Sequence, residues 1–335
     1  MTDPLDVLRS RARFPSVAPG DSHYESFYIK AAHPDGGQAV WIRHTVWKAP
    51  ERTPLGSLWV TLFDRDAVAP LALKATYGAD RLASGDGSYI RLADATLTPG
   101  RADGRAEAAE HEAAWQLSFE ATEEPFAYLA RPWMYERPIP RTKAISLYPL
   151  ARLSGRVSID QRTLELDRWP GMIGHNWGSE HPHRGIWVQG TNFAEAPEAC
   201  LDAIFGRIKL GPAITPWLGN GCLLLDGRRH RLGGLRPGAS RVDEAPTRAR
   251  FVLRGADVTV EGEVGSEARN FVGWTYANPA GGSHPTLHCS IADMRLAVTA
   301  RGAPERSLTV RGGAAYELQL PETDHGIPIQ PYPDP

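Results

Sequence analysis

An all-β fold built as two antiparallel barrels is what the sequence predicts, on three observations. Short runs rich in β-branched and aromatic residues recur along the chain, turn signals separate them, and no regular strand–helix alternation occurs. The runs number about fifteen, too many for one simple barrel, and closing or pairing antiparallel sheets removes their exposed edges. The 335 residues suffice for one large or two medium domains. Gly (33) and Pro (28) punctuate the chain into short elements, and 10 Trp each require a place for an indole N–H as well as a ring.

Residues 1–20 read as a helical or irregular lead-in. From Tyr24 the texture changes, with Phe27-Tyr28-Ile29 followed by a turn at Pro34-Asp35-Gly36-Gly37. The run Ala39 to Trp47 comes next, bounded by Pro50. Strand alternation puts Trp41, Arg43, Thr45 and Trp47 on one face and Val40, Ile42, His44 and Val46 on the other. The first face suits either a cavity wall with polar handles or an exterior covered by another element. Further strands are expected at 57–63, 71–76, 89–92 and 115–119, with a loop or short helix over Pro99 to Glu112. A proline-rich connection from Pro125 to Pro140, containing Trp133-Met134-Tyr135, is expected to cross a barrel mouth. Long or bulged strands at 143–150 and 153–159 lead through a hairpin turn at Asp160-Gln161 into 163–166.

After the glycine-rich stretch Trp169 to His183, strands are expected at 185–193, 200–208 and 221–225. The last of these turns at Asp226-Gly227 into 230–235. Others follow at 249–253, 257–261, 270–277, 284–296 and 314–320. This divides the chain into a lead-in (1–20), an N-terminal barrel (21–185), a C-terminal barrel (186–325) and an extended tail (326–335) with Pro328, Pro331, Pro333 and Pro335. No polar linker marks the division, which implies an extensive interface.

Charge and cysteine usage narrow the function classes. The formal net charge is -2, with 37 basic and 39 acidic residues, so nucleic acid is not an expected partner. The cluster Arg9, Arg11 and Arg13 is the one local exception. Asp3 and Asp6, then Pro15 and Pro19, do not fit a secretion signal, and no apolar run is long enough for a membrane-spanning helix. Cys200, Cys222 and Cys289, three and widely spaced, suggest buried thiols in a reducing compartment; the cytoplasm is expected, with the chain a monomer or a homodimer.

The densest group of reactive side chains is Gly171-Met172-Ile173-Gly174-His175-Asn176-Trp177-Gly178-Ser179-Glu180-His181-Pro182-His183. If extended, it places His175 and Trp177 on one face and Asn176 on the other. Glu180 is near enough in sequence to orient His175 or His181. A histidine suits proton transfer near neutral pH, a Glu in an apolar cavity can serve as an acid, and a Trp offers its face to a developing cation. Two alternatives stand beside catalysis: a bulge or tight corner with His and Asn satisfying buried backbone, and ligand binding without chemistry. His181 and His183 with His175 or Glu180 are the one metal-ligand combination, and Pro182 and the lack of a nearby cysteine weigh against it, so neither metal nor cofactor is expected. No nucleophile elbow, phosphate-binding loop or dinucleotide fingerprint occurs. Tyr24, Glu25, Arg43, His44, Tyr148, Asp202, Asn220, Trp274, Tyr276, His284 and His288 complete the polar and aromatic candidates, Arg43 being suited to an acidic headgroup.

Two motifs carry a family resemblance: Tyr24-Glu25-Ser26-Phe27-Tyr28, and Gly171-x-x-Gly174-His175-Asn176-Trp177-Gly178, supported by Trp187-Val188-Gln189-Gly190 and Leu225-Asp226-Gly227. With them the chain, from about residue 20 to 320, resembles the superfamily of carotenoid 1,2-hydratases (hydroxyneurosporene synthases), AttH-like proteins and tocopherol cyclases. The resemblance implies two lipocalin-like antiparallel β-barrels packed together. It also implies a cofactor-independent hydratase or cyclase acting by acid–base catalysis on a hydrophobic isoprenoid or polyene. The alternative is a noncatalytic lipocalin-like binder of a hydrophobic ligand. In the catalytic reading His175, Glu180 and Asn176 handle the proton, Trp177 and Trp187 flank the charge, and Trp41, Arg43, Tyr148, Trp274 and Tyr276 bind substrate.

Overall fold

The computed structural model describes residues 11–332; Asp3, Asp6 and Arg9 of the lead-in and Pro333 and Pro335 of the tail lie outside the described residues. The first sheet has twelve strands. They are β1 (His23–Ala32), β2 (Gln38–Lys48), β3 (Leu55–Asp64), β4 (Leu71–Tyr77), β5 (Leu82–Gly85), β6 (Ser88–Leu92), β7 (Ala95–Thr98), β8 (Arg101–Ala108), β9 (His111–Ala121), β10 (Phe126–Ala127), β11 (Thr142–Ile159) and β12 (Arg162–Gly178). A single helical turn, α1 (Trp133–Glu136), lies in the connection before β11. The second half carries β13 (Arg184–Phe193), β14 (Ala196–Arg207), a separate pair β15 (Lys209–Leu210) and β16 (Ala213–Ile214), β17 (Leu218–Leu225), β18 (Arg228–Gly233), β19 (Ser240–Ala245), β20 (Arg248–Arg254), β21 (Val258–Gly265), β22 (Val272–Ala277), β23 (Ser283–Ala300) and β24 (Arg306–Gln319).

Both sheets follow one plan. The first runs β4-β3-β2-β1-β12-β11-β9-β8-β7-β6-β5, the second β18-β17-β14-β13-β24-β23-β21-β20-β19. In each, the first strand pairs antiparallel with the last, and the two ends of the path are consecutive in sequence (β4 to β5, β18 to β19). Each sheet is thereby rolled into a nearly closed antiparallel barrel, and the two barrels pack together. Near-closure leaves little strand edge open to pairing with another chain.

Strand alternation explains the two interiors. Phe27, Ile29, Ile42, Val60, Ile145 and Ile173 fill the first barrel at 0% exposure. Leu201, Leu223, Leu253, Val260, Leu287 and Leu296 do the same in the second. Burying each such side chain contributes about 1.5–3 kcal/mol. The opposite faces of β1 and β2 are largely buried, with Thr45 and Trp47 partly exposed. Trp41 and Trp59 join the apolar cluster of the second barrel, and Lys30 Nζ, fully buried, donates to Gln189 Oε1 (3.0 Å) and the Gly313 carbonyl (2.5 Å). The mixed face of β2 is therefore an exterior covered by the neighbouring barrel.

Two expectations are corrected. The segment Pro99 to Glu112 is neither loop nor helix: it forms β8 and the start of β9, whose outward charged residues hid the alternation of buried Ala102 and Ala106. The glycine-rich stretch makes no tight corner either, since β12 continues through it to Gly178. Its glycines allow close approach instead. A Cβ on Gly174 would lie 2.2 Å from the Tyr28 ring, and one on Gly178 would lie 1.9 Å from the Arg141 carbonyl. The Asp226-Gly227 turn is as expected, both residues at positive φ (52° and 70°) between paired Leu225 and Arg228.

Candidate functional site

Pairing of β1 with β12 sets Glu25 opposite Trp177 and Phe27 opposite His175, so all four share the inner face of the first barrel. Glu25 and His175 are diagonal neighbours across the pair. His175 Nε2 lies 2.8 Å from Glu25 Oε1, and the imidazole is stacked between Phe27 (4.0 Å) and Trp177 (4.6 Å) at 0% exposure. The lead-in covers this mouth. The backbone N–H groups of Arg13 and Phe14 donate to the Glu25 carboxylate at 2.8–2.9 Å, and the Arg13 guanidinium carbon sits 4.8 Å from the Trp177 ring. His23 Nε2 is 3.3 Å from the other carboxylate oxygen. From the other side α1 brings Tyr135 within 5.8 Å of Trp177.

Burial by itself raises a carboxyl pKa, but the hydrogen bonds from His175 and His23 outweigh it and hold Glu25 down at about 2. Burial lowers His175, with Glu25 opposing only in part. The pair is therefore a carboxylate accepting from a neutral imidazole protonated on Nε2. Glu25 is an ionised anchor here, not a protonated acid.

A second constellation lies outside the first barrel, at the seam. Tyr24, Arg43, Thr45, Trp47, Ser57 and Trp59 line a cleft of about 20 Å³ with His181 from the crossover and Tyr276 from β22. Tyr24 stacks on His181 at 4.0 Å, and the Arg43 guanidinium lies 4.2 Å from the Tyr276 ring centre and 5.7 Å from that of Trp59. Burial, then the Arg43 charge, push His181 down to about 3, so its ring is neutral. A smaller space of about 10 Å³ lies beside Cys200, Asp202 and Cys222.

The expected site residues thus fall into separate places. Glu180 does not orient His175; it is at the surface in an ion pair with Arg141, and Glu25, 150 positions from His175, supplies the carboxylate. Asn176 points to the opposite face of β12, its Oδ1 buried without a donor. Trp177 and Trp187 do not flank one space. Trp177 is inside the first barrel, whereas Trp187 is in the interface, donating to Asp202 Oδ1 at 2.9 Å and packed edge-on against Tyr28. Tyr148 meets Tyr89 at 3.1 Å between hydroxyls within the first barrel. Trp41 and Trp274 are interface core, 6.4 Å apart, while Arg43 and Tyr276 reach the seam cleft. His175 faces packed rings, not an oily hollow. Among the described residues no three metal-ligating side chains converge, and no helix is long and apolar enough to cross a membrane.

In the sequence Glu25 is a polar candidate 150 positions from His175, and the signal that joins it to the site is its place in the first of the two motifs. Nothing in the sequence joins Tyr24 to His181; the packing of the barrels brings them together.

No protein-family model matches the chain, and no curated protein matches it in sequence. The fold is similar to the crystal structure of an AttH candidate from Nitrosomonas europaea, with a TM-score of 0.53 and 16% identity, covering 92% of this chain and 96% of that one. A kievitone hydratase from Nectria haematococca aligns over 91% of this chain and 90% of its own, at 9% identity and a TM-score of 0.49. The first likeness speaks for fold alone. The chain has a two-barrel, lipocalin/AttH-like fold.

Proposed function

We propose that the protein binds a small, largely apolar molecule in the cleft between its two barrels. Aromatic walls with a few placed polar groups are how small-molecule sites are built. Tyr24, Arg43 and Trp59 of one barrel, Tyr276 of the other and His181 between them converge on one such space, and this convergence carries the proposal. Three free, buried thiols support a reducing compartment, the cytoplasm. Mass spectrometry of an organic extract of natively purified protein tests the binding. One class of small molecule should be present in the wild type and absent from Thr45→Trp, which fills the cleft from its own wall and whose folding circular dichroism would verify. An empty wild-type extract, or the same molecule retained by the folded variant, would count against the seam.

A second reading is favoured by the His175–Glu25 pair inside the first barrel. It makes the protein a hydratase or cyclase of an isoprenoid or polyene, as the motif resemblance implies. His175, charged by a proton from solvent and held by Glu25, passes that proton to an olefinic carbon. Water or a substrate hydroxyl captures the cation and returns a proton to the imidazole, closing the cycle. Trp177 stacks on the imidazole and fixes its plane. Substrate reaches the pair only when residues 11–16 lift from the mouth. Removing the proton donor with His175→Ala should cost about 10²-fold or more in turnover of such a substrate; unchanged turnover would exclude the mechanism.

A further inference from the structure

We infer that the seam cleft takes an aromatic carboxylic acid, its carboxylate on the Arg43 guanidinium and a second oxygen acceptor facing the Trp47 indole N–H, an inference that rests on the seam being where the ligand binds. Arg43 is only 7% exposed. Its Nε donates to Ser26 Oγ at 2.6 Å, and the rest of the guanidinium is surrounded by the rings of Tyr276, Trp59 and Trp41. Among the described residues no aspartate or glutamate forms an ion pair with it. The carboxylates of neighbouring strands are engaged elsewhere: Glu25 holds the lead-in and His175, and Glu317 lies 3.0 Å from His288 Nδ1 and 3.5 Å from the Tyr276 hydroxyl. Buried charges in proteins are paired, and a guanidinium presents a planar fork that matches a carboxylate.

Trp47 supplies the independent observation. It shares the face of β2 with Arg43, lines the same cleft, and its Nε1 is buried without an acceptor. A buried indole N–H is normally satisfied. The cleft that both donors line is also lined by the rings of Tyr24, Trp59 and Tyr276, the kind of surface on which a flat apolar body stacks.

Calorimetric titration with 4-hydroxybenzoate, benzoate, 4-hydroxybenzamide and inorganic phosphate tests the assignment. A charge-assisted hydrogen bond lost from a buried site corresponds to about ten-fold or more in affinity. 4-Hydroxybenzoate should therefore bind at least about ten-fold more tightly than its amide, and Arg43→Met should erase that preference. Trp47→Phe keeps the ring at a partly exposed position, so it should fold even where Arg43→Met does not. It should bring 4-hydroxybenzoate down to the affinity of benzoate. Equal binding of acid and amide would overturn the inference while leaving the seam as a site, provided Thr45→Trp blocks both. Phosphate binding as tightly as 4-hydroxybenzoate, or no binding of any probe, would overturn it too; the extract experiment judges the seam separately.

Discussion

Replacing Glu25 with Ala should unseat the lead-in and cost about 3–5 kcal/mol, the range expected when one partner of a buried charged network is removed. The structure supplies the terms. Four donors converge on this carboxylate: the backbone N–H groups of Arg13 and Phe14, His175 Nε2 and His23 Nε2. Each hydrogen bond to a charged group is worth about 1.5–3 kcal/mol, not additively, and the donors left behind are buried. The lowered pKa expresses the same contacts as a free energy. A carboxyl held at about 2 rather than 4.5 contributes stability that is complete above its unfolded pKa and lost as pH falls toward 2, about 3 kcal/mol in all. Urea denaturation at neutral pH should show the loss as a lower midpoint. Trypsin should cleave after Arg11 and Arg13 faster in the variant, because the segment it holds is released. Glu25→Gln keeps the shape and should fall between the two proteins. A Glu25→Ala protein within about 1 kcal/mol of wild type and no more sensitive to trypsin would refute the reasoning.

Other perturbations test the packing and its titrating groups. His44 is fully buried with both ring nitrogens unpartnered, and burial lowers its pKa to about 4. Its folded pKa lies below the unfolded value, so stability is complete above about 6.5 and falls as pH drops toward 4. His44→Leu should remove about 2 kcal/mol of the loss between pH 7 and 5 in urea melts at both values. Burial likewise depresses Lys30 to about 7, so its contribution is largest above the unfolded pKa and declines as pH falls to 7. Wild type should gain about 2 kcal/mol on going from pH 7 to 9 through this group, a gain that Lys30→Met should lack in the same denaturation series. Gly174→Val drives a branched side chain into the Tyr28 ring and should lower stability by about 3 kcal/mol or prevent folding, read from the melting temperature.

Local chemistry made much of this fold legible. Asp226-Gly227 specifies a two-residue hairpin turn by itself, and the alternation in Ala39 to Trp47 assigns its faces correctly. What covers a face is a long-range fact: Arg43 and Thr45 between tryptophans look like a cavity wall until the second barrel is docked against them. The segment over β8 misled because small residues alternate with charges there, and Ala102 and Ala106 carry little hydrophobic signal. Proximity in sequence favoured Glu180 as the partner of His175. The pairing of first strand with last brings Glu25 instead, and no local pattern reports that register. The same limit hid the closure of the first barrel by its own lead-in, which Lys48 pins by donating to the carbonyls of Ala18, Pro19 and Asp21.

Whether small molecules bind between the barrels or within one can be read from fluorine NMR of protein labelled with 5-fluorotryptophan, titrated with 1-anilinonaphthalene-8-sulfonate. The ten tryptophans report from distinct places. Trp47 and Trp59 line the seam, while Trp115 and Trp177 lie inside the first barrel. Saturable shifts at Trp47 and Trp59, with Trp115 and Trp177 unmoved, are the predicted result; shifts confined to Trp115 and Trp177 would contradict it.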